Sequence, residues 1–352
     1  MNIVVAILAL VVLITLHELG HFMAARALGV GVLRFSIGFG PVIWSRQRGR
    51  TEYCLSVVPL GAYVRMVGED DASMIDASGV SDAFNTKPRW ARAIIVAGGP
   101  VANLITAWAL YAIVFTLGVP VLTSTVGEVK ADFPAAAAGI LTGDRIVSVD
   151  GRPTGEWDEL SEAVRASAGR SLKLEIERGG KSRQIELTPK DAEGSTIFGE
   201  KIASWVIGVG PSGAILTESL GPLEAIREGF WRTIEVIELT VMSLVKLVQG
   251  VVPASSLGGP IMIVNLAGDQ AQAGIGALLA FMAVLSVNLG VLNLFPIPVL
   301  DGGQLVFLAI ESITRRPLGV RVRDLAMQVG VVLLVSLMGF ALFNDIHRLV
   351  TG

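Results

Sequence analysis

Along this 352-residue chain the hydrophobic and polar positions fall into long blocks. Four blocks are apolar over about the 20 residues that a bilayer core requires: residues 3–25, 93–118, 274–300 and 325–344. The first holds no charge across 3–16, and the second is interrupted only by Gly98-Gly99-Pro100 and Asn103. The third is charge-free up to Asp301, and the fourth has no charge at all. Each predicts a membrane-crossing helix. Between the second and third blocks the pattern changes at about Val121. Strands are expected at 125–129 and 146–149, the latter closing on an Asp150-Gly151 turn. A helix fits 156–166, Leu172, Leu174 and Ile176 alternate, Gly179-Gly180 makes a hairpin turn, and Ile185 and Leu187 alternate again. That is a small α/β domain. At 228–252, Glu228, Arg232, Glu235, Glu238 and Lys246 gather on one side of a helical wheel and apolar residues cover the rest. The pattern predicts a helix in the membrane–water interface, with a fifth span as the competing reading that five charges disfavour.

These elements give a polytopic α-helical membrane protein with four transmembrane helices and one inserted α/β domain. Its expected parts are an N-terminal membrane core over 1–118, the α/β domain over 121–190, a linker with the interfacial helix over 191–273, and a C-terminal membrane core over 274–352. Composition agrees, with 52% hydrophobic and 17% charged residues, more apolar matter than one globular core would take. A net charge of −3 suggests no nucleic-acid partner. Cys54 is the only cysteine, so no disulfide forms within the chain. The N-terminus lacks a basic region and a small-residue cleavage site and reads as a retained span. Basic residues crowd the loop between spans one and two (Arg26 to Arg92) and the loop between spans three and four (Arg315, Arg316, Arg321, Arg323). Both loops should therefore face the cytoplasm, with both termini and the α/β domain on the extracytoplasmic side.

The chemistry begins in the first apolar block, at His17-Glu18-Leu19-Gly20-His21. Two histidines four apart on a helix project from one face and can bind a single zinc, while the glutamate between them can take a proton from water. Ionisable groups at membrane depth are costly and mark function; a helix end with snorkelling polar groups is the bland alternative. A third ligand has to come from elsewhere, and Asn293-Leu294-Phe295-Pro296-Ile297-Pro298-Val299-Leu300-Asp301-Gly302-Gly303 offers one. His17 lies about 15 residues, roughly 20 Å, into a helix that starts outside. Asp301 sits at the cytoplasmic end of another span that starts outside, so the two reach similar depths. Pro296 and Pro298 free backbone groups beside the site, which a membrane tolerates only around protein or a wet cavity. Asn293 could face substrate backbone or bond a neighbouring helix.

The string from Ala135 through Ala138-Gly139-Ile140-Leu141-Thr142-Gly143-Asp144 to Val149-Asp150-Gly151 resembles a PDZ domain, a fold that binds extended peptides at a sheet edge. Peptide capture and steric exclusion are equally open roles for it. With these residues assembled, almost the whole chain resembles the site-2 protease family of intramembrane zinc metalloproteases, of the bacterial sigma-E regulator type. The resemblance is carried by His17–His21, Gly38-Phe39-Gly40-Pro41, Gly61-Ala62-Tyr63-Val64-Arg65-Met66, Gly99-Pro100 with Asn103, the PDZ segment, and Asn293–Pro296 leading to Leu300-Asp301-Gly302. It implies one Zn2+ per chain on His17, His21 and Asp301, with Glu18 as catalytic base. It implies a membrane-dipping β-hairpin around Gly61–Met66 that presents a strand edge to substrate, with Gly61, Tyr63, Met66, Asn293 and Pro296 in contact. The implied partners are the lipid bilayer and pre-trimmed single-span membrane proteins, an anti-sigma factor or a signal-peptide remnant, and the implied place is the bacterial inner membrane. One departure is that a single PDZ unit is visible where the best-known members carry two. A metal-ion transporter and an inactive PDZ-bearing scaffold are the alternatives. The absence of an inverted repeat disfavours the first, and the intact glutamate disfavours the second.

Overall fold

The computed structural model describes residues 2–69, 81–196 and 198–351; the stretch 70–80 of the expected N-terminal membrane core lies outside the described residues. In chain order the elements are helix α1 (Asn2–Ala27), strands β1 (Val32–Arg48) and β2 (Thr51–Met66), and helix α2 (Arg89–Leu117). Then come β3 (Val119–Leu122), β4 (Val126–Val129), α3 (Pro134–Ala137), β5 (Arg145–Val149), β6 (Arg152–Pro153) and α4 (Trp157–Ala166). They are followed by β7 (Leu172–Arg178), β8 (Lys181–Leu187), β9 (Lys190–Ser195), β10 (Lys201–Val206), β11 (Val209–Pro211) and β12 (Ile215–Glu218). Helices α5 (Pro222–Val248), α6 (Pro260–Ala273), α7 (Ile275–Asn293), α8 (Asp301–Thr314) and α9 (Val320–Thr351) complete the chain. The chain divides into two compact units. One holds Met1–Val114, Gly221–Leu247 and Pro253–Gly352, and the other holds Phe115–Leu220 with Val248–Val252.

In the first unit, four helices are long and apolar enough to cross a membrane among the described residues: Val4–Ala27, Arg89–Leu117, Ile275–Asn293 and Val320–Thr351. Helix α1 is apolar all round, yet only one stripe is buried: Ala6, Ala9, Leu13, His17, His21 and Ala25. The steps of three and four residues make that stripe one helical face, so both histidines point into protein and the opposite face, with Val4, Leu8, Val12 and Met23, is exposed. In α2, Pro100 has no N–H to give to the Val96 carbonyl; Val96 lines a cavity, where a freed backbone group is tolerated.

The two long strands fold back on each other. Residues 42–48 and 51–56 form a hairpin, while 34–37 lies between 52–55 and 62–66. Gly38 (φ +89) bends β1 where a side chain would meet the Val58 carbonyl, its Cβ only 2.7 Å from that oxygen. Among the described residues, segment 62–66 has a strand partner on one side only; at its outer side the Met66 amide goes to Glu69 at 3.0 Å. The apolar block expected over 274–300 is helical only to Asn293. Pro296 and Pro298 end it, and Asp301 opens a separate helix rather than closing the span. Glycines 302 and 303 let α8 pack onto that break, since a side chain at either would overlap the carbonyls of Phe295 and Ile297. Helix α5 buries its small residues Ala225, Gly229, Thr233 and Val236, and Trp108 Nε1 donates to the Ile226 carbonyl at 2.8 Å.

The second unit is built on a four-stranded antiparallel sheet in the order β6-β5-β7-β8. Its core gathers Val126, Ile140, Ile146, Val149, Leu160, Val164, Leu172, Leu174 and Ile176; on β7 the strand period sends every second residue inward. Asp150 (φ 51) and Gly151 (φ 78) supply the positive-φ pair of a tight hairpin turn. Burial alone would raise the Asp144 carboxyl. Two bonds from Arg178, both 2.6 Å, and one from the Leu141 amide outweigh it and hold Asp144 below the ordinary range. The unit is larger than the 121–190 expected, and the linker expected from 191 onward is corrected by strands that return to the start of the domain. Val209 pairs with Val129 and Ile215 with Leu122, satisfying backbone groups that β3 and β4 would otherwise leave open. The remainder of 191–273 is taken up largely by α5 and α6.

Candidate metal centre

Two elements of the first unit converge. Helix α1 delivers His17 and His21, and the first residue of α8 delivers Asp301. His17 Nε2 lies 3.2 Å from Asp301 Oδ2, His21 Nε2 lies 3.5 Å from Asp301 Oδ1, and the two Nε2 atoms are 3.2 Å apart. The imidazoles meet edge to face at 82°, and the three donor atoms could hold one metal ion. Zinc with bonds of about 2.0–2.1 Å in a tetrahedron has ligand–ligand edges of about 3.3 Å. The three separations match those edges, and two imidazole nitrogens with a carboxylate oxygen are zinc's donor chemistry. The residues present fit the metal.

Helix α2 makes room for them. A Cβ at Gly99 would overlap His21 Nε2 and His17 Nε2, so the imidazoles occupy the volume that the missing side chain leaves. On the same face, one turn to either side, the Ile95 carbonyl is 2.9 Å from His21 Nδ1 and the Asn103 amide is 3.1 Å from His17 Nδ1. A cavity of about 350 Å³ opens beside the three donors, lined among others by Glu18, Val64, Met66, Glu69, Asn293 and Gln304. Glu18 follows His17 by one residue, so it points about 100° away from the ligand stripe. Its carboxylate lies beside the Val64 backbone amide of segment 62–66, and both residues line the cavity.

Of the residues expected to contact substrate, Asn293 and Met66 line this cavity. Gly61, Tyr63 and Pro296 are not among its lining residues. Gly61 (φ +131) lies against the Phe39 ring, and Tyr63 stacks on that ring at 5.9 Å. Residues that the motifs did not flag also reach the site. Gln304 is one helical turn beyond Asp301, a spacing that could have signalled it. The Ile95 carbonyl has no side-chain signature, and Glu69 enters through a bond to the Met66 amide at 3.0 Å.

Peptidase family M50 matches residues 5–337. The regulator of sigma-E protease of Escherichia coli is 36% identical over 441 aligned positions, covering 97% of this chain and 98% of that protein. Its counterpart from Salmonella typhimurium is 36% identical over 450 positions, with 99% of each chain covered. Both alignments are longer than this chain, so those relatives carry additional residues. A candidate zinc metalloprotease of Agrobacterium fabrum is 38% identical over 359 positions, covering 98% and 95%. The PDZ domain of an SdrC-like protein from Listeria monocytogenes matches 25% of this chain and 84% of that domain, at 24% identity and a TM-score of 0.21.

Proposed function

This chain belongs to peptidase family M50 and is an intramembrane zinc metalloprotease, and we propose that it cuts a peptide bond within the membrane span of a pre-trimmed single-span protein. His17, His21 and Asp301 hold the zinc, and Glu18 is the base. The observation that carries this assignment is the set of three donors at tetrahedral-edge separations, beside a cavity that Glu18, Val64 and Met66 line. The protease family sets aside the transporter and the scaffold.

Zinc, when bound, supplies the Lewis acidity that polarises the scissile carbonyl and acidifies the attacking water. The Glu18 carboxylate takes that water's proton and later gives one to the leaving amine. A substrate helix keeps its backbone bonded to itself, so it has to unwind before attack. The edge at 62–66 offers replacement hydrogen bonds to the unwound segment once its Val64 and Met66 amides leave Glu18 and Glu69, and Asn293 meets the substrate backbone at the cavity wall. Relatives named as regulators of sigma-E protease support an anti-sigma factor as substrate, a signal-peptide remnant being the other candidate. The loop charges support an orientation in the inner membrane with the termini and the inserted unit outside and the site near the cytoplasmic face. The inserted unit, read as a PDZ domain, then acts before chemistry, by capturing a trimmed tail or excluding an untrimmed one.

Asp301→Ala tests the ligand set. A tetrahedral catalytic site needs three protein ligands, so this variant should lose most of its zinc along with cleavage. Full zinc occupancy would move the third ligand elsewhere.

A further inference from the structure

Helix α2 carries Ile95, Gly99 and Asn103 four residues apart, hence on one face. That face presents a carbonyl, a gap and an amide to the two histidines. The Ile95 carbonyl can only accept, so at 2.9 Å it fixes the His21 ring proton on Nδ1 and leaves the Nε2 lone pair towards Asp301. His17 has no carbonyl in that position and meets the Asn103 side chain instead. An amide can serve either ring tautomer, because a half-turn about χ2 interchanges its donor and acceptor ends with no change of shape.

The choice of end decides whether His17 is a ligand. With Nδ2 donating to Nδ1, the ring proton sits on Nε2 and points at Asp301 Oδ2, 3.2 Å away. Asn103 Oδ1 is then buried without a hydrogen-bond partner. With Oδ1 accepting, the ring proton moves to Nδ1 and the Nε2 lone pair points at the same place. Only the second arrangement can bind a metal through Nε2. We propose that Asn103 is the positioning residue for His17, its amide oxygen taking the Nδ1–H so that Nε2 is free for zinc. This rests on the ligand assignment above.

Two further observations single out the side chain. Asn103 is fully buried, so water does not compete for His17 Nδ1. Its interhelical bond uses the main chain, with Ser286 Oγ donating to the Asn103 carbonyl at 2.8 Å; that bond needs no particular side chain. Glue between helices is therefore already provided, and the amide is left to the imidazole.

The test measures zinc affinity of the full-length protein in detergent by competition with a chromophoric chelator. Asn103→Leu has the amide's size but no acceptor, while Asn103→Asp keeps acceptors and loses the donor. The expected result is zinc binding weakened 10- to 100-fold in Asn103→Leu and undiminished in Asn103→Asp. Wild-type affinity in Asn103→Leu would overturn the proposal, and so would an Asn103→Asp variant weakened tenfold or more, since the donor end would then be the one His17 needs. If Asn103→Leu does not fold, Asn103→Asp decides alone by the same criterion. His17→Ala separates the two readings: if it binds zinc as the wild type does, the ligand set is wrong and not merely its positioning.

Discussion

Gly99 shows how one residue can determine whether this site exists. The Gly99→Ala change adds a single methyl and favours the helix by about 1 kcal/mol. That methyl would nevertheless sit where His17 and His21 place their outer nitrogens. The expected outcome is a folded protein, helical by circular dichroism, that retains little zinc and does not cut a model substrate. Zinc retained at the wild-type level would show that the imidazoles can move aside. The convergence of His17, His21 and Asp301 was legible in the sequence because one motif lies inside an apolar block and the other at the end of one. Asn103 was visible as a polar interruption of an apolar block and as part of a resemblance, with no role. The Ile95 carbonyl was invisible, since every residue has one and only the packing of α2 on α1 selects it. Tyr63 lies in a recognisable motif, but it stacks on Phe39, and sequence spacing does not say which way a strand residue faces.

Among the elements, α4 and β12 share a carboxyl pair that responds to pH. Burial first, then a hydrogen bond with Glu218, pushes Glu156 up to about 7. The folded value lies above the unfolded one near 4.5, so the contribution to stability is full below about 4.5 and is lost as pH rises through about 7. Glu156→Gln should leave the melting temperature near that of the wild type at pH 5 and raise it at pH 8. Identical curves at both pH values would remove the pair from consideration. At the other end of the chain, Asp345 on α9 is nearly fully buried. It accepts the amides of Gly259, Ile261 and Met262 at 2.9, 3.0 and 3.2 Å, capping α6 from another helix. Asp345→Ala should cost about 1–2 kcal/mol in detergent unfolding, and Asp345→Asn, which keeps an acceptor, clearly less. Equal loss in both would make the charge, not the cap, the source. The strands β9 to β12 escaped the sequence reading for a physical reason. β9 and β10 pair only with each other, whereas β11 and β12 are short and find their partners far back in the chain, Val129 for Val209 and Leu122 for Ile215. Local alternation carries no trace of such pairings.

In the whole molecule, the four apolar blocks and the inserted α/β unit were evident from patterning, because membrane thickness sets helix length and a charged segment stands out between such helices. The unit's limits were not, since they depend on where its ends meet. The Leu220 amide bonds the Phe115 carbonyl at 3.0 Å, and β3 pairs with β12 beside it, so the two ends of the 115–220 segment lie side by side. Replacing residues 119–218 by a short Gly-Ser link should therefore spare the metal centre. The excised protein should hold zinc and cut substrate, but distinguish less between a trimmed single-span protein and its untrimmed parent. An unchanged ratio of the two cleavage rates would mean that the unit does not select substrates. The division of labour within the site is read by comparing wild type with Glu18→Gln, purified in detergent and incubated with a single-span substrate, with zinc counted by mass spectrometry and products mapped. Glu18 is assigned as base and not as ligand, so both proteins should hold one zinc per chain. Only the wild type should yield product, cut within the span, with the variant slower by about a thousandfold or more. Equal cleavage by the two proteins, or a variant stripped of zinc, would contradict that division of roles.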